Sequence, residues 1–243
     1  MHEQIASQIK ELIMSSGVEV GQRLPSERAL AQQLKVSRVV VREALKSLEQ
    51  SGFVVRRTGA AGGAFIADNH HLPFFNSAYD LFRGGKLTLA HFYEARQTVE
   101  CRSARLAAGR AKPEDIRRLR ELNKRLIERP IEQRRLNEAA VAFHVTIAEI
   151  SANPLIRLMV HSLMELLVAL FSGLVKPGNA VGTTLRSGHM EITKVSRFIR
   201  RTYKIHEDII DAIEAGDRSR AEESMAADTA LPRKTRITTK PKN

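Results

Sequence analysis

The chain has 243 residues, 43% of them hydrophobic, and its 39 Lys and Arg against 27 Asp and Glu give a formal net charge of +12. That supplies enough apolar material for one large core or two smaller ones. No apolar run is long enough to span a bilayer, the charged amphipathic start MHEQIASQIKEL does not read as a secretory signal, and a single cysteine, Cys101, excludes an intrachain disulfide, so a cytoplasmic protein without a membrane partner is expected.

In chain order, Ile5, Ile9, Leu12 and Ile13 recur at helical spacing and predict a first helix ended by Gly17. Gly21 and Pro25 shape the connection to Ser26, which caps a second helix whose inner face is Leu30, Ala31 and Leu34. Lys35 and Val36 make a turn. Ser37 caps a third helix that buries Val40, Val41, Ala44, Leu45 and Leu48 and closes at Gly52. Its outer face carries Arg38, Arg42 and Lys46 at successive turns, with only Glu49 near the end of the stripe. Like charges four apart repel by a few tenths of a kcal/mol, and an external polyanion would compensate them. Residues 53–57 read as a strand, 58–63 as a Gly-rich tip and 64–67 as a return strand, a β-hairpin with Arg56 and Arg57 near its tip. Three helices and a basic hairpin predict a winged helix-turn-helix that enters a DNA major groove. From Lys35 to Arg57 there are six basic and two acidic side chains. An isolated stripe of this kind is more often a solvated face, and the hairpin is what favours DNA.

Residues 69–75, polar and containing Pro73, read as a linker between a domain at 1–68 and a second at 76–230. The pattern of the second is helical throughout. Helices are expected at 76–83, 88–110, 113–128, 132–151, 155–174, 190–215 and 217–229, with a Gly-rich loop at 176–188 and a basic tail at 231–243 that is expected to be disordered. The fold class is therefore mainly α: an N-terminal winged helix-turn-helix with a small hairpin, then an all-helical bundle.

Particular residues carry a family resemblance. Gly21, Leu24-Pro25-Ser26-Glu27-Arg28, Leu30-Ala31, Val36-Ser37-Arg38, Val41-Arg42-Glu43-Ala44-Leu45, Leu48 and Gly52 resemble the GntR winged helix-turn-helix over residues 5–67. Tyr93-Glu94-Ala95-Arg96, Glu100, Ala104 to Ala108, Phe143-His144, Asn153-Pro154-Leu155, His206 to Ile209 and Gly216-Asp217 resemble the FCD ligand-binding domain of the FadR-type subfamily. The second likeness is weak around 172–200. It implies a homodimeric regulator of transcription that binds a palindromic operator and answers to a small carboxylate-type effector. Arg28, Ser37, Arg38 and Arg42 match DNA-contacting positions, and Gly59 matches a minor-groove contact beside Arg57. The chemistry agrees, since Arg forms a fork that fits guanine O6 and N7, and a serine hydroxyl at a helix start suits a phosphate.

The resemblance also implies a divalent metal, such as Zn, Ni or Mn, held by one Asp and three His. Here the Asp position is Ala140, the first two His are His144 and His206, and the third His position is Asp228. His144, His206 and Asp228 remain as a three-ligand set with open positions, or as pocket and core histidines making hydrogen bonds. Arg96 matches a pocket-facing arginine of the family. It would either anchor an effector carboxylate, together with His144 and His206, or form an ion pair with Glu100 one turn on. An architectural DNA binder without effector and a metal-dependent hydrolase on the same three ligands are the competing functions. No nucleophile–base pair or phosphate loop accompanies them, so an enzyme is not expected.

Overall fold

The computed structural model describes the chain apart from Ser16, Val18, Ala60 and residues 128–132, 172–191 and 232–243, and apart from the side chains of 133–137, 171 and 192–198. It divides into two compact units, Met1–Asn76 and Ser77–Asn243. The loop expected at 176–188 and nearly all of the tail at 231–243 lie outside the described residues.

The first unit holds α1 (His2–Ser15), α2 (Glu27–Leu34), α3 (Arg38–Gln50), β1 (Val54–Arg57) and β2 (Gly63–Ile66). Each start has its expected cap. Ser26 Oγ accepts from the amide of Ala29, and Ser37 Oγ from that of Val40, which satisfies amides that lack an intrahelical partner. The tight turn is made by Lys35, held in the left-handed region at φ 53°. Ile5 and Ile9 of α1 pack against Leu30, Val41, Leu45 and Leu48; the apolar stripes meet as the periodicity predicts. Val40 is only partly buried. The end of α3 needs Gly52. At φ +80° it lets the Phe53 amide reach Leu48 O at 2.9 Å and its own amide reach Glu49 O at 3.1 Å, the paired bonds of a Schellman end. Any side chain there would fall against the backbone of Asn69 and His70.

β1 and β2 pair antiparallel, with Val54 opposite Ile66 and Arg57 opposite Gly63. The connection from α1 to α2 adds a short third edge, which the sequence did not announce. Gly21 and Leu24 donate to Ile66 O and Ala64 O, and the Ile66 amide donates to Gln22 O. Arg23 donates from Nη2 to Gly62 O at the hairpin tip.

The stretch read as a linker, 69–75, is helical from His71 onward: α4 spans His71–Arg83. Pro73 does not oppose this, because the third helical residue has no intrahelical acceptor for its amide. The boundary between the two units falls within α4, and the second unit holds α5 (Leu89–Ala107), α6 (Pro113–Lys124), α7 (Gln133–Ile150), α8 (Pro154–Phe171), α9 (Ile192–Glu214) and α10 (Arg218–Asp228). Thr88 caps α5 through the His91 amide, and Asp217 caps α10 through that of Arg220. α5 stops three residues short of the expected end. Around it, α10 packs on α5 and α9, α7 on α5 and α8, and α6 on α7 and α9. Among the described residues no helix is long and apolar enough to cross a membrane.

Candidate functional site

On the first unit, Arg28, Ser37, Arg38 and Arg42 are all exposed on α2 and at the start of α3. Arg42 is not left uncompensated as the stripe suggested. Its Nη2 lies 3.1 Å from Glu27 Oε2, so the first turn of α2, where Arg28 stands, is tied to α3. Lys46 lies 3.8 Å from Glu43. Glu49 turns away to the hairpin, where it accepts from Arg56 Nε at 2.7 Å and from the Arg56 amide at 2.9 Å. These exposed pairs are each worth at most about 1 kcal/mol and dissolve readily against a stronger anion. Arg28 and Arg38 have no ion pair among the described residues. Ser37 uses its oxygen as an acceptor for the cap and keeps its O–H for donation. At the tip Gly59 adopts φ +98° and accepts from the Gly62 amide at 2.9 Å. The Arg57 guanidinium lies 4.5 Å from the Phe65 ring centroid, a cation–π contact that holds it beside the tip.

The second unit brings every remaining predicted site residue into one buried cluster. α5 supplies Arg96 and Glu100 one turn apart. Arg96 Nε donates to Glu100 Oε1 at 2.6 Å, and the two side chains are only 4% and 1% exposed. Arg96 is thus engaged in the ion pair, and its Nη2 also approaches Met164 Sδ at 3.7 Å. The other Glu100 oxygen stands 2.6 Å from His144 Nδ1. The two atoms are in direct contact, although their alignment falls short of a regular hydrogen bond. His144 Nε2 lies 3.4 Å from Asp228 Oδ2, and His206 Nε2 lies 3.6 Å from Asp228 Oδ1. Phe143 stacks on His206, with centroids 3.8 Å apart and rings 3° from parallel. Ala140, one turn before His144, offers no donor.

The charges follow from this packing. Burial would raise the Glu100 carboxyl, but Arg96 and His144 pull it down to about 2. Burial likewise opposes the Asp228 charge, and His206, His144 and Arg96 reverse it, so this carboxyl falls well below its ordinary range. Burial opposes the Arg96 charge, and Glu100, with Asp228 and Tyr93, more than offsets it. Burial, with His144 nearby, lowers His206 against the pull of Asp228, which favours the neutral imidazole and its lone pair. Arg96 neutralises Glu100. Asp228 is left, among the described residues, with two imidazoles as its only ion-pair partners.

His144, His206 and Asp228 therefore fit a metal. Their donor atoms lie within 4.8 Å of one another. Two ligands about 2.1 Å from one tetrahedral ion stand about 3.4 Å apart, close to each His–Asp separation, although the two are to different oxygens of Asp228. Both nitrogens of His206 are buried without a hydrogen-bond partner among the described residues, an arrangement that is costly unless something else engages them. The sequence reading missed the link from Glu100 to His144, the stacking of Phe143 and the role of Asn123. Asn123 is fully buried and donates to Tyr203 O at 3.1 Å and to Glu207 Oε1 at 2.6 Å. With Arg120, which reaches Glu207, Asp211 and Glu214, it fixes α6 to the stretch of α9 that carries His206. A lone Asn among polar residues of α6 gives no periodic signal that could have revealed it.

Known proteins share this organisation. Residues 1–65 match the gntR family of bacterial regulatory proteins and residues 91–230 match the FCD domain. The HTH-type transcriptional regulator LutR of Bacillus subtilis is 25% identical over 89% of this chain and 92% of its own length. The Uxu operon transcriptional regulator of Escherichia coli is 33% identical over 64% of this chain and 60% of its own. A Streptococcus agalactiae GntR structure shares the fold at TM-score 0.67 and 21% identity, over 94% of this chain and 97% of that one. The chain belongs to the gntR family of DNA-binding transcriptional regulators and carries an FCD domain.

Proposed function

We propose that the chain is an effector-controlled cytoplasmic repressor of the FadR-type subfamily that binds a palindromic operator as a homodimer and leaves it when a small organic acid enters the helical unit. Arg28, Ser37, Arg38 and Arg42 meet the major groove, and Arg57 and Gly59 meet the minor groove. Two recognition helices one helical turn apart require two copies of the chain.

The observation that carries the effector reading is the buried cluster of His144, His206 and Asp228, in which, among the described residues, both His206 nitrogens lack a hydrogen-bond partner and the carboxylate has only imidazoles as ion-pair partners. These residues would hold a divalent ion such as Zn, Ni or Mn. Such an ion, when bound, supplies a Lewis-acidic centre for carboxylate oxygens. Ala140 contributes no ligand, which leaves room for an effector donor. Glu100 sets the orientation of His144, and the Asn123 and Arg120 bonds set the position of His206.

Metal analysis of the purified chain, paired with thermal-shift measurements against divalent ions and small carboxylates, tests this. Stoichiometric metal that is lost in His144→Ala or His206→Ala is expected. No bound metal and no stabilisation by any ion refutes the metal. A metal-free pocket is the second reading, supported by Arg96, whose Nη1 has no hydrogen-bond partner among the described residues. In that case carboxylates stabilise the chelator-treated protein, and Arg96→Ala abolishes the effect.

A further inference from the structure

The run Val39-Val40-Val41 opens α3. Val41 is completely buried, whereas Val39 is 66% exposed. Its direction is fixed by the helix. Leu48, in the core, lies nine residues on, two and a half turns at 3.6 residues per turn, so Val39 points about 180° away from it. Arg42 and Lys46 fall on the same outward side, and Arg38 immediately precedes Val39. Valine is a weak helix former because its branched β-carbon restricts χ1, and at this position it gains no compensating burial. An apolar group thus stands at the centre of a cationic face, in the N-terminal part of the helix that meets base edges in this class of motif.

Each neighbour has a polar target in the groove: arginine forks suit guanine, and cations suit phosphates. The isopropyl group has one apolar target there, the C5-methyl of thymine. We propose that Val39 is a specificity-determining residue that reads one thymine per half-site by packing against its methyl group, between the contacts of Arg38 and Arg42. The proposal rests on the DNA-reading role of α3 and adds to it a base that the arginines do not specify.

The experiment uses the full-length protein. Preferred duplexes are first enriched from a random library. Each thymine of the preferred site is then replaced in turn by deoxyuridine, which removes the methyl and nothing else, and binding is followed by fluorescence anisotropy. One thymine in each half-site is expected at which the replacement weakens binding about fivefold, the worth of about one buried methyl. In Val39→Ala the same replacement changes affinity by less than about 1.5-fold, and the dependence on salt is unchanged, because Val39 neutralises no phosphate. The inference is overturned if no deoxyuridine replacement weakens binding, or if Val39→Ala keeps the full sensitivity. A library that enriches no sequence at all would overturn the DNA-reading role of α3 along with it.

Discussion

Replacing Glu100 by Gln removes the charge around which the buried cluster is built. The carboxylate is 1% exposed and bridges Arg96 and His144, 2.6 Å from each. Breaking a buried ion pair from one side costs about 3–5 kcal/mol, because the other charge stays buried without a partner. The depressed carboxyl gives a second measure. A group moved from 4.5 to about 2 on folding contributes about 3 kcal/mol of stability at neutral pH. The sign is set by the direction of that move: the contribution is complete above pH 4.5 and is lost as the pH falls from 4.5 toward 2. Chelator-treated wild type and Glu100→Gln would be compared by urea unfolding at several pH values. The variant should lose about 3 kcal/mol at pH 7, a large share of a typical domain stability. It should also lose about one proton's worth of the wild-type pH dependence between pH 5 and pH 2.5. A variant within about 1 kcal/mol of wild type at pH 7 would mean that Arg96 finds another anion and that Glu100 is not the centre of the cluster.

Three further outcomes follow from the same geometry. Arg42→Ala should weaken binding to an enriched duplex by about 1–3 kcal/mol and loosen its sequence preference, with little change in thermal stability because its pair with Glu27 is exposed; unchanged affinity in anisotropy would remove Arg42 from the interface. Gly52→Ala combines a left-handed backbone with a clash against Asn69 and His70, and should cost about 3 kcal/mol in urea unfolding. Cys101 is buried, and burial pushes its thiol up to about 11; a disulfide reagent at pH 8 should modify it only in the unfolded chain, and rapid modification of the native protein would contradict that placement.

How much could be read from the sequence depended on the range of the interaction. Ser26, Ser37, Thr88 and Asp217 act on amides three residues ahead, and the helices they start were placed within a residue. Apolar stripes gave the core of the first unit for the same local reason. Most of the misses are long-range. Glu49 and Glu27 sit beside the cationic stripe in sequence or in the preceding helix, but which cation each one meets depends on where β1 and α2 lie against α3. The helical start of α4 was hidden because a polar stretch with a proline reads as a linker, although a proline in a first turn breaks nothing. Arg23 at the hairpin tip and Asn123 under α9 bridge 39 and 84 positions, separations at which a single sequence carries no pattern.

The buried cluster of the second unit combines both kinds of information. The positions of His144, His206 and Asp228 came from family likeness, but what these three can do together comes from packing. Against the ligand pattern of one Asp and three His, this chain lacks the carboxylate on α7, where Ala140 stands, and gains one on α10, at Asp228. One imidazole is lost in the exchange. The donor set therefore keeps a single negative charge while falling from four members to three. Because α10 packs against both α5 and α9, the relocated carboxylate still reaches the two imidazoles at 3.4 and 3.6 Å. Charge, more than ligand count, decides whether a buried site attracts a divalent cation, and an open position favours an exogenous oxygen donor. On the proposed reading, a chain altered in this way should hold a divalent ion more weakly than a four-ligand site and gain more affinity from a bound carboxylate. Titration of the metal with and without small carboxylates reads that coupling directly, and equal affinities in the two titrations would argue that the effector and the metal do not share the cluster.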